Sequence, residues 1–302
     1  MNRCYEHIEI LKCNSKPHFF VTHTDVPYKI EEYTVDQVET QMRLRLLDVM
    51  HDRLGTDTSD EALLAVVKEH NELCDVMTQI GDFRKLENPP ITGYEFHVLC
   101  LVSYCCPTSL ILPKLKETLE EIRTRRPDEK PWFRARVVVA GSEIDDLDFS
   151  RLLEESGALI AADRYCYGSF PGRERIELHE GESILRQICR HYMQTSECAR
   201  YMSQEKITQR RTTIDRLARE YHADGIIFEQ MKYCDFWAFE RPLASHILQD
   251  EYGWPVLSID RSYNVRGSGQ LRTRFQAFVE ALEIKRIQKR RSAGKAAGTE
   301  VT

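Results

Sequence analysis

The chain has 302 residues, of which 42% are hydrophobic and 30% are charged, proportions typical of a globular protein with a sizeable core. The formal net charge of −6 argues against a general nucleic-acid-binding surface. No run approaches the roughly 18 apolar residues that a membrane span requires, and the N-terminal MNRCYEHIEILKC lacks the apolar region of a signal peptide. We therefore expect a soluble, cytoplasmic protein that binds neither nucleic acid nor membranes.

Ten cysteines are a high number for an intracellular protein. A chain of this length, rich in core residues and without an export signal, does not need disulfides, so we expect buried thiols or metal ligands. The cysteines are Cys4, Cys13, Cys74, Cys100, Cys105, Cys106, Cys166, Cys189, Cys198 and Cys234.

Helical patterns dominate the first half of the chain. The stretch HFFVTHTDVPYK, within residues 16–33, predicts one strand that ends in a turn at Pro27. The next two helices are expected to end near Gly55 and Gly81, and LPKLKETLEEIRTRR predicts a fourth helix that ends before Pro127. Three residue pairs have the spacing of a capping box and predict helix starts: Thr34 with Gln37, Thr58 with Glu61, and Thr92 with Glu95. The cysteines of these helical stretches are expected to be core or helix-contact thiols: Cys74, Cys100, Cys105 and Cys106.

From Arg136 onward, short apolar runs alternate with helical patterns. RVVVAGS, ALIAAD, DGIIFEQ and PVLSID each predict a buried strand. Helices are predicted at FSRLLEES, at about 182–194 and 203–222, at FERPLASHILQDEYG and at QLRTRFQAFVEALEIKRIQ. Such alternation predicts an α/β fold with a parallel, doubly wound, Rossmann-like sheet.

Three cysteines are predicted to gather at one edge of that sheet. Cys166 follows the ALIAAD strand and Cys234 follows the IIFEQ strand, and in open parallel sheets sites collect beyond the carboxyl ends of the strands. Cys198 lies in the connection between them, just before a helix that starts near Ser203 and whose N-terminal dipole favours an anionic thiolate. We therefore expect the three thiols to form a metal centre.

Three thiolates suit two metal states. One is a [4Fe–4S] cluster with one open iron, and the other is zinc with a water as fourth ligand. Wide spacing argues against zinc, which usually takes ligands from close pairs such as C-x-x-C. The alternative is three unrelated thiols at loop ends.

Two glycine-containing segments are weaker candidates for ligand binding. Val139-Ala140-Gly141-Ser142 can seat an anion at a helix N-terminus or form a tight turn. Gly267-Ser268-Gly269-Gln270 opens the last helix, and a phosphate such as one on coenzyme A would suit this segment. A glycine turn with a solvated basic face is the alternative. The nearby basic residues are Arg266, Arg272 and Arg274.

The segments around the three cysteines resemble the 2-hydroxyacyl-CoA dehydratase and benzoyl-CoA reductase subunit family. The matching order is a strand, the loop CYGS, the motif SECAR, a D-G strand, the motif KYCD and the closing helix GQLRTRFQAFVEAL. The resemblance implies one [4Fe–4S] cluster held by Cys166, Cys198 and Cys234, and so favours iron–sulfur over zinc. The family loop often reads C-x-G-x-R, whereas Phe170 stands at the arginine position here.

The resemblance also implies a function. It implies the iron–sulfur subunit of a heterodimeric dehydratase that eliminates water from a 2-hydroxyacyl-CoA through a ketyl radical anion. The implied partners are a second subunit, an ATP-dependent iron–sulfur activator and the acyl-CoA substrate. The alternatives are a benzoyl-CoA-reductase-like or double-cubane-type low-potential reductase subunit, and a non-catalytic electron relay or remnant.

The implied organisation is that of a family subunit with a short N-terminus. Residues 1–130 are expected to form a helical layer with the remnant of a first α/β domain. Residues 131–284 are expected to form the α/β cluster-binding domain, and 285–302 a basic, disordered tail.

Overall fold

Five α-helices precede the first strand in the computed structural model, which describes residues 22–127, 129–169, 174–263 and 269–298, with side chains as far as Gln288. They are α1 (Glu32–Met42), α2 (Asp48–Leu54), α3 (Asp60–Asp82), α4 (Gly93–Cys105) and α5 (Thr108–Thr124). A π-helical segment, Arg43–Leu47, joins α1 to α2, and a 3₁₀ turn, Phe83–Lys85, follows α3. Residues 22–31 form no strand, so the strand predicted within 16–33 is absent there, and residues 16–21 lie outside the described residues.

The helix starts test the predicted capping boxes. Thr92 caps α4 as predicted: its hydroxyl accepts the Glu95 N–H at 3.0 Å, and the Glu95 carboxylate accepts the Thr92 N–H at 2.8 Å. The Thr34 prediction is wrong, because Glu31 is the N-cap of α1 and Thr34 is the third helical residue of the box. Glutamate fills the role that serine or threonine usually has, which is why the sequence pattern missed it.

The start of α3 is displaced by one residue from the prediction. The Ser59 hydroxyl, rather than Thr58, accepts the Ala62 N–H at 3.2 Å. The end of α2 is as predicted, because Gly55 has the left-handed backbone (φ 66°) that closes many helices.

The second half of the chain builds one sheet and its covering helices. The strands are β1 (Ala135–Glu143), β2 (Ala158–Cys166), β3 (Gly225–Met231) and β4 (Val256–Arg261). The helices are α6 (Leu147–Glu155), α7 (Ile184–Thr195), α8 (Gln204–Glu220), α9 (Asp235–Asp250) and α10 (Gly269–Gly298). All strand pairs are parallel, in the order β2-β1-β3-β4. The predicted α/β fold with a parallel sheet is confirmed.

Helices cover both faces of the sheet, as doubly wound topology requires. On one face, Val137 and Ile227 pack in a cluster with Phe149 of α6 and Phe275 of α10. The opposite face carries a second cluster, formed by strand residues such as Val138 and Phe228 with residues of α8 and α9. The strand β2 lies on one side of β1, whereas β3 and β4 lie on the other. The side on which successive strands are added therefore changes after β2, and the switch point lies between β1 and β3. Ligands of such folds bind at this switch point.

The described chain forms two compact units. Residues 22–68 with Ile176–Gln194 form one, whose core includes Val35, Val38, Leu185, Cys189 and Met193. The remainder forms the other, which contains the sheet. This grouping differs from the linear division at residue 130, because the start of α4 lies against β2: Gly93 and Ile160 both donate backbone N–H groups to Glu154 of α6.

The last helix and the apolar character of the helices can be compared with the sequence-based expectations. The backbone of α10 is helical to Gly298, beyond residue 284, where the basic tail was expected to begin. In the described part of the chain, no helix combines the length and apolar character needed to cross a membrane.

Candidate metal centre

Cys166 is the last residue of β2. It pairs in register with Glu143, the last residue of β1, and its carbonyl accepts the Ile144 N–H at 3.2 Å. The strand therefore runs further than the predicted ALIAAD and carries the half-buried thiol to the carboxyl edge of the sheet. Tyr167 then turns the chain with a left-handed backbone (φ 66°), which is uncommon for a residue with a side chain.

Cys234 is the N-cap of α9, just beyond β3. Its N–H donates to the Met231 carbonyl at 3.1 Å, and its carbonyl accepts the Ala238 N–H at 3.0 Å. Burial raises the pKa of the Cys234 thiol, and the nearby backbone N–H of Trp237 opposes part of that rise. Tyr233, immediately before it, also has a left-handed backbone (φ 73°). The half-buried Cys234 thiol thus lies at a helix N-terminus, where a thiolate is favoured.

Cys198 lies outside the sheet, in the turn before α8. Its carbonyl accepts the Tyr201 N–H at 3.0 Å, and its N–H donates to the Ser196 hydroxyl at 3.4 Å. The helix α8 starts near Ser203, as the sequence predicted: Ser203 is its N-cap, and the Ser203 hydroxyl accepts the Lys206 N–H at 3.2 Å.

The three thiols lie within electrostatic range of one another. Burial raises the pKa of Cys166 well above its ordinary range, and Cys198 and Cys234 raise it further. Cys198 likewise raises the pKa of Cys234. Two carboxylates, Glu143 and Glu229, add to the negative potential at Cys166. A cation would relieve this mutual repulsion, because a metal binds the thiolate form.

Within the described residues, no group of three or more His, Cys, Asp and Glu side chains is arranged around one common metal ion. A single zinc ion needs such an arrangement, since its ligands lie about 2.0–2.3 Å from one centre. The thiolates of a [4Fe–4S] cluster bind different iron atoms and do not share a centre. Thiolates are the ligand type that iron–sulfur clusters take, and Cys166, Cys198 and Cys234 are half-buried cysteines.

The other described cysteines form no disulfide and differ in their surroundings. Cys74 and Cys100 are buried, as expected for core thiols, and Cys100 belongs to the core between α3, α4 and α5. Cys105 and Cys106 are exposed, so the core assignment is wrong for them, because α4 ends at Cys105 and the chain leaves the core there. Cys4 and Cys13 lie outside the described residues.

A buried ion pair at the switch point was not predicted from the sequence. Glu229 of β3 is completely buried, accepts a hydrogen bond from the Ser142 hydroxyl at 3.0 Å and pairs with Arg261 of β4 at 2.8 Å. Burial raises the pKa of Glu229 to about 7, against the opposing effect of Arg261. The sequence gives only a weak indication of this ion pair, because Glu229 and Arg261 are each a polar residue near the end of an apolar strand.

The glycine-containing segments have different outcomes. Val139–Ser142 is part of β1, so it forms neither an anion seat nor a tight turn. Of the later segment, only Gly269 and Gln270 lie within the described residues. Arg272 pairs with Glu155 at 3.0 Å and Arg274 donates to the Ser258 carbonyl at 2.8 Å. Arg266, Gly267, Ser268 and Phe170 lie outside the described residues.

Comparisons with known proteins agree with the resemblance. The family model of the 2-hydroxyglutaryl-CoA dehydratase D-component matches residues 1–282. The beta subunit of (R)-phenyllactyl-CoA dehydratase from Clostridium sporogenes is 26% identical over 245 residues, covering 80% of this chain and 62% of that protein. A presumed dehydratase subunit of Escherichia coli (strain K12), YjiM, is 21% identical over 247 residues, covering 79% of this chain and 62% of that protein.

The chain therefore spans less than two thirds of the length of these curated relatives. The family match nevertheless extends over nearly all of its residues and includes the three cysteine segments. The chain belongs to the 2-hydroxyglutaryl-CoA dehydratase D-component family.

Proposed function

We propose that this chain is the iron–sulfur subunit of a 2-hydroxyacyl-CoA dehydratase. The observation that carries the proposal is that Cys166 at the end of β2, Cys234 at the N-terminus of α9 and Cys198 before α8 lie within electrostatic range of one another. The family match and the dehydratase names of the two relatives support the reaction class.

In the proposed site, the three thiolates hold a [4Fe–4S] cluster and no fourth protein ligand is needed. When bound, such a cluster supplies low-potential one-electron chemistry to an acyl-CoA thioester. The overall reaction is redox-neutral: the substrate loses a hydroxyl from its α-carbon and a proton from its β-carbon, and gives an enoyl-CoA and water.

The residues of this chain have two roles in that proposal. The thiols bind as thiolates, so each must lose its proton, which the raised pKa values of Cys166 and Cys234 make unfavourable until a cation is bound. The strand end at Cys166 and the helix N-terminus at Cys234 hold their thiols on rigid elements, which keeps the site pre-formed.

The proposed partners are a second dehydratase subunit, an ATP-dependent iron–sulfur activator and the acyl-CoA substrate. The name of the Clostridium sporogenes relative, a beta subunit, supports the existence of a second subunit. Electron counting separates this proposal from a reductase: a dehydratase uses electrons catalytically, whereas a reductase consumes them in proportion to product.

Iron and acid-labile sulfide content after strictly anaerobic purification tests the proposed site. We expect about four irons and four sulfides per wild-type chain and an electron paramagnetic resonance signal after dithionite reduction. Cys166→Ala, Cys198→Ala and Cys234→Ala should each lose the cluster, because each removes one of three ligands.

The matched control is Cys106→Ala, which removes an exposed thiol that lies on none of the three cysteine segments. It should retain the wild-type iron content. Absence of iron from the wild type, or iron that persists in the three ligand variants, would refute the site.

A further inference from the structure

Cys198 needs an anchor that the sheet does not provide. Cys166 and the strand before Cys234 are fixed by parallel backbone ladders, since β1 pairs with both β2 and β3. Cys198 lies in a turn before α8, outside every strand. A cluster held by three thiols requires each to stay within roughly 0.5 Å of its working position, so the turn must be held by side chains.

One anchor joins the Cys198 turn to β2. Glu197, next to Cys198, is buried and accepts the Arg164 Nε–H at 2.9 Å. Its second carboxylate oxygen accepts the Thr213 hydroxyl of α8 at 2.7 Å. Arg164 lies in β2, two residues before Cys166. One carboxylate therefore connects the Cys198 turn with the strand that carries the Cys166 thiol.

A second anchor joins the same turn to α9. Arg210 of α8 is buried and donates to the Cys198 carbonyl at 3.3 Å and to the Tyr201 carbonyl at 2.8 Å. Its guanidinium also pairs at 3.1 Å with Glu240 of α9, the helix that Cys234 caps. Arg210 therefore connects the Cys198 turn with the helix at Cys234.

Stability alone is a poor explanation for these ion pairs. Burying a charged pair has a large desolvation cost, and apolar residues of similar volume often give an equally stable or more stable protein. The side chains of Arg164 and Glu197 are only 11% and 6% exposed, and those of Arg210 and Glu240 only 3% and 7%. Both pairs end on the Cys198 turn, and each reaches a different one of the other two cysteine elements.

We propose that Glu197 and Arg210 are positioning residues that fix the Cys198 thiol relative to Cys166 and Cys234. This inference rests on the proposed function, because it gives the two ion pairs a role only if the thiols share one cluster. The Arg164–Glu197 pair is neutral overall, so replacing both members changes the geometry of the turn without changing the net charge near the thiols.

The test compares folding with cluster retention in the reconstituted full chain. In Arg164→Met combined with Glu197→Leu, apolar groups replace the pair, so we expect urea unfolding close to that of wild type. Iron transfer from the anaerobic chain to excess bathophenanthroline should become on the order of 10–100-fold faster, the usual scale for loss of residues that orient metal ligands. Glu197→Gln keeps one oxygen that can accept the Arg164 Nε–H and an amide that can donate to the Thr213 hydroxyl, so iron transfer should be slower than in the apolar pair.

Glu154→Gln is the control for a buried carboxyl outside the site. Glu154 accepts the backbone N–H groups of Gly93 and Tyr94 in α4 and of Ile160 in β2, six residues before Cys166, and within the described part of the chain no hydrogen bond joins it to Glu197 or Arg210. It should alter unfolding but leave the rate of iron transfer unchanged. If the apolar pair does not fold, Thr213→Val removes only the hydroxyl bond to Glu197 and should still speed iron transfer.

Each outcome bears on a different claim. Wild-type iron transfer from the stably folded apolar pair, or from Thr213→Val where only that variant folds, would overturn the positioning role and leave the cluster proposal standing. A wild-type chain that holds no iron would overturn both. Fast transfer from the apolar pair with a normal rate in Glu154→Gln supports positioning.

Discussion

Gly141 is the position where a single methyl group should have the largest effect on the switch point. It lies in β1 with φ 146° and pairs in register with Glu229 of β3. A Cβ at this position would lie 1.9 Å from the Glu229 carbonyl oxygen and 2.7 Å from its carbonyl carbon. Both contacts involve backbone atoms of a central strand, which cannot move aside as a side chain end can.

The expected cost of Gly141→Ala has two parts. Holding an alanine in a backbone region that favours glycine costs on the order of 1–3 kcal/mol. Inserting a methyl group into a closely packed site typically costs about 1–3 kcal/mol more. We therefore expect a loss of roughly 2–6 kcal/mol, a large fraction of the roughly 5–15 kcal/mol that stabilises an ordinary domain.

Urea unfolding followed by circular dichroism measures this loss, with Gly253→Ala as the matched control. Gly253 also has a positive φ, 76°, but an added Cβ there would meet nothing within 4 Å. The control contains the backbone strain alone and should lose about 1 kcal/mol. Equal losses in the two variants would show that the close approach of β1 to Glu229 does not govern stability, and would refute the reasoning.

Two further predictions concern the same unit. Burial raises the pKa of Glu154 from its ordinary 4.5 to about 7, so its contribution to stability is complete below pH 4.5 and is lost as pH rises through 7. The unfolding free energy of wild type minus that of Glu154→Gln should therefore fall between pH 5 and pH 8 in urea titrations, and a constant difference would contradict the burial argument. Leu115→Ala should lose about 2–5 kcal/mol, because Leu115 is 1% exposed in the core of α3, α4 and α5. Leu110 lies in α5, as Leu115 does, but is 70% exposed, so Leu110→Ala should change stability by less than about 0.5 kcal/mol. Equal losses of stability in Leu115→Ala and Leu110→Ala would contradict the burial of Leu115 in the core.

The sequence was sufficient to predict where most regular elements lie. The four apolar runs after Arg136 are strands because β-branched and small residues without polar interruption suit a sheet covered on both faces. Thr92 and Gly55 set helix boundaries through interactions with neighbouring residues. Such local rules failed where an unusual residue had the same role, as Glu31 does at the start of α1.

The sequence also predicted part of the candidate site. Cys166 and Cys234 follow strands of one parallel sheet, so chain order alone places them at the same edge. It could not predict that β2 continues to Cys166, nor that Cys234 is the N-cap residue of α9. Those details depend on where backbone pairing stops, which packing against the neighbouring strand decides.

The amino-acid sequence by itself thus determined the fold class, the segments that become strands and the three cysteines of the candidate centre, because hydrophobic periodicity and short motifs are local properties. Only the tertiary structure determined the strand order, the burial of Glu229 with Arg261, and the anchoring of the Cys198 turn by Glu197 and Arg210. These features join residues that are distant in the chain, and their energies depend on desolvation and on distances of about 3 Å. No local pattern records such distances, so they are known only once the chain has folded.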